Sequence, residues 1–515
     1  MSRTRRAGVA AGFGYLQFGL ALASGILVVP FILKNVGSAA YGVWLGFGEL
    51  VAYSAMADLG VLGVLPWLVA EADGRGDREG MRMLVAAGMV AASLAAVAFA
   101  VLALGLLAVA PELTGVSLAQ HRQVIGPLML MVAGLALAYP VRVFHAVILG
   151  LQDTGFAGRL GVAQAVMNVA LILGLLAAGQ GLYALAAAAT IPTLIVAAAC
   201  VARVRRTAPD LVRGWRWPSA RLLRSVTAQG LGAWVAGLGW RMTSATTNLI
   251  ILAIAGPEAA VAYALTARLA DVLTQMSWQT PDAGLVGLAQ LRGEGKEQRA
   301  REIAVAILRL TLIGAGAVAC AVLAFNASFV SLWVGPDKFA GLTANALVAA
   351  GAVALSLGHA LFSTAATLGA RVQIGFATVA QGVVHVGAAL LLGRAFGLPG
   401  IAAAGVIGTA LVAYPAGVFY LRRVTGLTQA QLWRGALGPW SARALLLLVL
   451  GLAVGIVGWR ASVWPPLAAA PVLGVLYLWW MRPLYEGLPL PERLRPVLAR
   501  LRLVPEQGGA GVPLP

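Results

Sequence analysis

The chain has 515 residues, of which 60% are hydrophobic and only 11% are charged, and its mean hydropathy is +0.87. Soluble domains carry about a quarter charged residues, so this composition excludes an ordinary soluble protein. The net charge of +18 does not indicate nucleic acid as a partner, because the basic residues lie in short loops between apolar runs and not on a soluble face.

Apolar runs of roughly 20 residues, the length that spans a bilayer, recur almost from end to end of the chain. The runs are continuous and do not alternate, which favours helices over a β-barrel. We therefore predict an all-α polytopic membrane protein with about fourteen transmembrane helices. The predicted spans are 9–33, 41–69, 83–109, 124–149, 160–178, 182–202, 225–254, 259–286, 303–325, 342–368, 373–392, 399–420, 441–459 and 464–481.

Lysine and arginine are distributed unequally between alternate loops, and this bias sets the orientation of a membrane protein. Most basic residues outside the spans lie on the side that also holds both ends of the chain, which predicts cytoplasmic termini and a place in the cell inner membrane. The opposite loops hold few basic residues, namely Lys34, Arg122, Lys338, Arg394 and Arg460.

The two halves of the chain repeat each other. Gly37 and Gly256 lie 219 residues apart, and so do Gly150 and Gly369. A constant offset held across six spans predicts two six-helix lobes related by pseudo-two-fold symmetry, followed by two appended helices. The predicted parts are an N-lobe at 1–202, a cytoplasmic inter-lobe linker at 203–224, a C-lobe at 225–420, appended spans at 421–481 and a basic cytoplasmic tail at 482–515.

Charged side chains inside a membrane are costly, so each is a candidate for function. The densest set is in the eighth predicted span, where Arg268, Asp271, Gln275, Gln279 and Asp282 step by three or four residues and form one polar stripe on a helix. Such a stripe suits the wall of a water-filled cavity. The alternative is that Arg268 and Asp271, three residues apart, only neutralise each other.

The seventh predicted span carries a shorter stripe of Arg241, Ser244 and Asn248. The repeat also places Glu49 of the second span 219 residues before Arg268. These two residues therefore occupy equivalent positions in the two halves, and we predict that they approach each other in one conformation and separate in another.

Other polar residues in the spans have both a functional and a structural interpretation. Asp58 is a candidate for coupling or gating, or for satisfying backbone amides where a helix loosens at the following glycine. Arg142 could contact an anionic group, or snorkel toward the membrane surface. His359 could relay protons, although a satisfied core histidine is the commoner case for a lone histidine on an apolar helix.

The run from Val36-Gly37 through Tyr41-Gly42 to Asp58-Leu59-Gly60, followed by the Gly74–Asp77 loop, resembles the polysaccharide-transporter branch of the multidrug/oligosaccharidyl-lipid/polysaccharide (MOP) exporter superfamily. Wzx-type flippases of O-antigen or other lipid-linked oligosaccharides belong to that branch. Lys34 stands where that family often has arginine, so the positive charge is kept without the two-pronged contact of a guanidinium.

The resemblance implies two six-helix lobes around a central cavity. It also implies transport of a polyprenyl-pyrophosphate oligosaccharide from the cytoplasmic to the outer face by alternating access, for polysaccharide or other cell-envelope synthesis. It further implies a set of cavity cations for the anionic headgroup: Arg241, Arg268, Lys34 and Arg142. The candidates for coupling or gating are Glu49, Asp58, Asp271 and His359.

Four other functions remain open at this stage: a lipid-linked peptidoglycan precursor flippase, a drug or cation antiporter, a non-transporting scaffold of an envelope synthesis complex, and an enzyme. The enzyme is the least favoured, because no nucleophile–base set and no metal cluster is visible, and we expect no cofactor. Expected partners are the lipid-linked oligosaccharide, membrane lipids, and a polysaccharide polymerase or glycosyltransferases.

Overall fold

The computed structural model describes residues 3–213, 216–461, 464–485 and 488. Within these residues the chain is helical with short connections and has no β-strand. Nine helices or helix runs in the described part are long and apolar enough to cross a membrane. The predicted all-α, multi-pass membrane fold is therefore confirmed, while most of the basic tail predicted at 482–515 lies outside the described residues.

The described residues form eighteen α-helices, numbered here in chain order. They are α1 (Arg3–Val36), α2 (Ser38–Ser54), α3 (Val61–Gly74), α4 (Arg78–Thr114), α5 (Leu118–Gly150), α6 (Thr154–Ala177), α7 (Leu182–Thr207), α8 (Ala220–Ser244), α9 (Thr246–Ala255), α10 (Pro257–Gly293), α11 (Glu297–Val334), α12 (Leu342–Ala365), α13 (Arg371–Phe396), α14 (Leu398–Gly408), α15 (Tyr414–Thr425), α16 (Gln429–Leu432), α17 (Gly438–Ala461) and α18 (Trp464–Trp480).

Each predicted span falls on one of these helices or on two in succession. The second span is divided into α2 and α3, and the seventh into α8 and α9. Neither α8 nor α10 is among the nine apolar segments, because polar residues lower their hydropathy. The two most polar spans of the sequence are thus helical, the seventh as α8 and α9 and the eighth as α10, and both α8 and α10 lack the uniformly apolar surface of a lipid-facing helix.

Local sequence signals explain how several helices begin. Asp77 precedes α4, and its carboxylate accepts a hydrogen bond from the Gly80 N–H at 2.7 Å. Ser117 precedes α5 and forms a reciprocal capping box with Gln120. Such caps satisfy backbone amides that have no partner inside the helix. The polar loop that follows α3 therefore also supplies the residue that caps the N-terminus of α4.

The described residues divide into two compact units. The first contains the described residues up to Arg241 together with Asn248–Val261, and the second contains Met242–Thr247 and the described residues from Ala262 onward. The first has a core between α2, α4, α5 and α7, and the second a core between α11, α12, α15 and α17. The division passes through the predicted spans seven and eight, and the lobe boundaries taken from the repeat stay a prediction.

Candidate functional site

Glu49 is held in the first unit by a close approach of α9 to α2. Gly42 and Gly46 are buried on α2, and a Cβ atom at either position would meet the backbone of Pro257 or the side chain of Leu252. The absence of side chains at these glycines lets the neighbouring segment pack tightly. Asn248 of α9 then donates a hydrogen bond from Nδ2 to Glu49 Oε1 at 3.2 Å.

Arg241 lies near the same carboxylate. Its guanidinium, in the last turn of α8, is close enough to act electrostatically on Glu49, more weakly than Asn248 does, and Arg241 and Glu49 form no ion pair within 4 Å among the described residues. Arg241 is half-buried, whereas Asn248 contacts Glu49 directly. The stripe predicted for the seventh span therefore contributes two of its three members to the surroundings of Glu49. The predicted approach of Glu49 to Arg268 stays a prediction.

Asp58 lies in the break between α2 and α3. The chain there forms a short 3₁₀ turn, Ala55–Asp58, and then passes through left-handed conformations at Leu59 (φ 48°) and Gly60 (φ 76°). Asp58 Oδ1 accepts a hydrogen bond from the Gly60 N–H at 3.1 Å. This contact agrees with the structural interpretation of Asp58, in which the carboxylate accepts a hydrogen bond from a backbone amide where the helix is interrupted.

Two aromatic side chains from other helices also bind this break. The hydroxyl of Tyr139 on α5 donates to the carbonyl oxygen of Ala55, and Trp234 Nε1 on α8 donates to that of Met56 at 2.6 Å. The Met56 carbonyl also accepts from the Leu59 N–H at 3.2 Å, so Trp234 is its second donor. Carbonyl groups at a helix break need partners, because an unsatisfied polar group is costly inside a membrane. Side chains of α5 and α8 therefore stabilise the break between α2 and α3.

Arg142 of α5 is exposed beside a cavity of about 390 Å³ in the first unit. Its guanidinium carbon lies 5.4 Å from the ring centre of Tyr139. Lys34 is also exposed and lies in the last turn of α1, where a cation is favoured by the helix dipole. Both predicted cations are therefore accessible, and Arg142 lines a cavity.

The polar stripe predicted for the eighth span is present on α10. Arg268, Asp271, Gln275 and Gln279 are all exposed along one face of this helix. Arg268 acts electrostatically on Asp271, as expected for residues one turn apart. At 1.5 Å per residue, Arg268 lies about 17 Å from the first residue of α10, too deep for a side chain that faces lipid. That this face lines a water-filled cavity stays a prediction.

His359 belongs to a polar cluster of the second unit. Its Nε2 lies 2.9 and 3.1 Å from the two carboxylate oxygens of Asp282, and its ring is stacked on Trp278 with centres 4.1 Å apart. Trp278 Nε1 donates to the hydroxyl of Ser356 at 3.0 Å. The histidine is thus partnered, and its side chain remains 24% exposed.

Sequence reasoning placed Asp282 on the polar stripe but did not find its partner. It also missed the aromatic residues Tyr139, Trp234 and Trp278, whose polar edges make the contacts described above. Aromatic residues are common in membrane spans, so nothing in their spacing separates these three from packing residues. The described residues contain no group of three or more His, Cys, Asp or Glu side chains that could hold a metal ion.

Comparison with solved structures identifies the fold. An inward-facing multidrug resistance MATE family transporter of the MOP superfamily matches with a TM-score of 0.62 at 17% identity, over 80% of this chain and 95% of that chain. The chain has a MATE-like fold. An outward-facing MATE family transporter matches with a TM-score of 0.58 at 16% identity, over 82% of this chain and 94% of that one.

A MATE structure in the bent conformation matches similarly, with a TM-score of 0.57 at 16% identity, over 82% of this chain and 96% of that chain. No family model and no curated protein sequence matches the chain. The structural neighbours are thus MATE family transporters of the MOP superfamily, and these likenesses establish the fold alone.

Proposed function

We propose that this protein is a transporter that moves a lipid-linked oligosaccharide, carried on a polyprenyl pyrophosphate, from the cytoplasmic to the outer face of the inner membrane. The MATE-like fold supports transport by alternating access, since its neighbours include inward-facing and outward-facing transporters. The predicted cytoplasmic termini, and a polymerase or glycosyltransferases as partners, belong to the same proposal.

The observation that carries the proposal is that two acidic side chains in the spans have hydrogen-bond partners, whereas two of the basic side chains are exposed. Glu49 is bonded to Asn248, and Asp58 to a backbone amide. Arg142 and Arg268 are exposed. Exposed guanidinium groups favour an anionic ligand, because they bind phosphate oxygens with two parallel hydrogen bonds, and Arg268 can do so although Asp271, also exposed, lies one helical turn away.

In this mechanism Arg241 and Arg268 contact the pyrophosphate, while Lys34 and Arg142 attract the headgroup before or after that contact. Glu49 interacts with Arg241, and Asp271 with Arg268. Each acid either displaces the pyrophosphate from its arginine or takes up a coupling cation. Asp58 serves gating through the helix break, and His359 with Asp282 is a proton-exchanging pair.

The test is movement of a labelled polyprenyl-pyrophosphate oligosaccharide across proteoliposomes. We expect Arg241→Ala and Arg268→Ala each to lower the initial rate at least tenfold, because each removes a charged contact to a phosphate worth about 1.5–3 kcal/mol. Arg159→Ala is the matched control, since Arg159 is an exposed arginine near the start of α6 outside these clusters. Wild-type rates in both cavity variants would instead support a non-transporting scaffold.

A drug or cation antiporter is the second candidate. It is favoured by the pair of Asp282 and His359, since a carboxylate and an imidazole can take up and release a proton against a cationic substrate. The same vesicles loaded with a lipophilic cation dye separate the two functions. Dye export driven by a pH gradient, without movement of the lipid-linked sugar, would replace the first proposal with this one. A third candidate is a lipid-linked peptidoglycan precursor flippase. Movement of that precursor across the same vesicles, in place of the oligosaccharide, would identify it.

A further inference from the structure

The cavity beside Arg142 is enclosed by α3, α5, α6 and α7 of the first unit and has a volume of about 390 Å³. That volume lies within the range of small-molecule sites in proteins. Arg142 and His145, three residues apart on α5, are on the same face of their helix and both line the cavity. The cavity wall therefore carries a guanidinium cation and an imidazole one helical turn apart.

The lining of this cavity has no acidic residue. Among the described ion pairs none involves Arg142. The nearby acid, Asp58, interacts electrostatically with Tyr139 and bonds the Gly60 amide. A guanidinium inside a membrane span without a counter-charge is costly, so an anionic ligand would stabilise it.

The cavity also offers neutral donors. Gln164 of α6 donates from Nε2 to the hydroxyl of Thr193 on α7 at 3.3 Å, and this hydroxyl donates to the carbonyl oxygen of Ala189 at 2.8 Å. An amide nitrogen has two hydrogens, so Gln164 retains a second N–H for a ligand. Together with Arg142 it forms a set of donors that suits an anion with several oxygens.

The rest of the wall is apolar and includes Leu62, Leu135 and Val196. Arg142 lies about 12 Å along α5 from its end at Gly150, which is the end that the charge bias predicts to be cytoplasmic. A free inorganic anion gains nothing from an apolar wall at this depth. The combination fits a molecule with a charged head and a hydrocarbon chain.

We propose that this cavity binds the phosphate group of a membrane amphiphile, with Arg142 and Gln164 on the phosphate oxygens and the chain along the apolar wall. The phosphate could come from a prenyl phosphate carrier or from a phospholipid headgroup. The proposal deepens the proposed function at Arg142, and rests on it only for the identity of the carrier.

Binding to the purified full-length protein in a neutral detergent tests the inference. The probes are a prenyl phosphate, phosphatidylglycerol, the prenyl alcohol without phosphate, a fatty acid and inorganic phosphate, measured by native mass spectrometry. We expect the prenyl phosphate or phosphatidylglycerol to bind at least tenfold more tightly than the alcohol, the fatty acid and inorganic phosphate. The tighter of the two identifies the source of the phosphate.

We expect Arg142→Gln to weaken that binding about tenfold or more, the usual scale for losing a charged contact of about 1.4 kcal/mol. Arg142→Lys retains part of the affinity, and Arg159→Gln, the control, leaves it within twofold. Equal binding to wild type and Arg142→Gln, or tighter binding of the alcohol or the fatty acid, would overturn the proposal.

If Arg142→Gln does not fold, Gln164→Leu and the histidine signals serve instead. The chain has only four histidines, so the nuclear magnetic resonance signal of labelled His145 can be assigned by substitution. Prenyl phosphate or phosphatidylglycerol must shift that signal, and a signal unmoved by both refutes the site. Because these measurements need no transport, failure of the site and failure of the transport proposal are distinguishable.

Discussion

Asp58 is the residue at which a structural role and a coupling role can be separated most sharply. Its carboxylate accepts the Gly60 N–H at 3.1 Å in a turn that has two successive left-handed residues. Asp58→Ala leaves that amide without its acceptor. A hydrogen bond to a charged group is worth about 1.5–3 kcal/mol, and since Asp58 is only half-buried we expect a loss of about 1–2 kcal/mol in the free energy of unfolding.

Asp58→Asn is the matched variant, because it keeps a carbonyl oxygen at nearly the same place and removes only the charge. A loss of 1–2 kcal/mol corresponds to a fall of about 2–8 °C in melting temperature for a unit of this size, measured on the purified protein. We expect this fall for Asp58→Ala, and wild-type melting and transport for Asp58→Asn. Asp58→Asn with normal melting but no transport would refute the structural role and identify Asp58 as a coupling residue.

Three further predictions concern packing and polar contacts. Gly42→Ala should lower the melting temperature by overpacking against Pro257 worth about 1–3 kcal/mol, whereas Gly48→Ala on the same helix, where a Cβ meets nothing within 4 Å, should raise it. Equal effects would contradict the close approach of Pro257, the first residue of α10, to α2. Trp234→Phe should cost about 0.5–1.5 kcal/mol in thermal denaturation by removing one of the two donors to the Met56 carbonyl, and an unchanged melting temperature would count against that contact. Asp282→Asn and His359→Gln should be non-additive by about 0.5–1 kcal/mol in a double-mutant cycle of stability, while strict additivity would show that the pair does not interact.

The multi-pass fold could be predicted because hydropathy is a local property of the chain. The break in the second span was also foreseeable, since Asp58-Leu59-Gly60 combines a short acceptor side chain with a residue that tolerates positive φ. The interruption between α8 and α9 at Ala245 was not predicted. Its neighbours, Ser244 and Thr246, include no glycine or proline, so the turn depends on tertiary packing.

The polar stripe on α10 was predictable for the same local reason, because helical periodicity alone places Arg268 and Asp271 on one face. Contacts between distant residues were not. Asn248 and Glu49 are 199 positions apart, and the repeat offset states only which positions are equivalent, without saying which side chains touch. Asn248 belongs to the polar stripe that the sequence predicted on the seventh span, but nothing in the spacing indicated that it would contact Glu49.

The placement of Arg241 beside Glu49 and of Arg268 beside Asp271 has a consequence for coupling. Each of these cations has an acid close by within its own unit. A pyrophosphate that binds such an arginine competes with the acid for the same positive charge, and the released carboxylate then favours a proton or a metal cation. If the proposed pyrophosphate binds at these arginines, substrate binding and cation uptake would be linked there by electrostatics alone, and the energy source and the anionic headgroup would then belong to one mechanism.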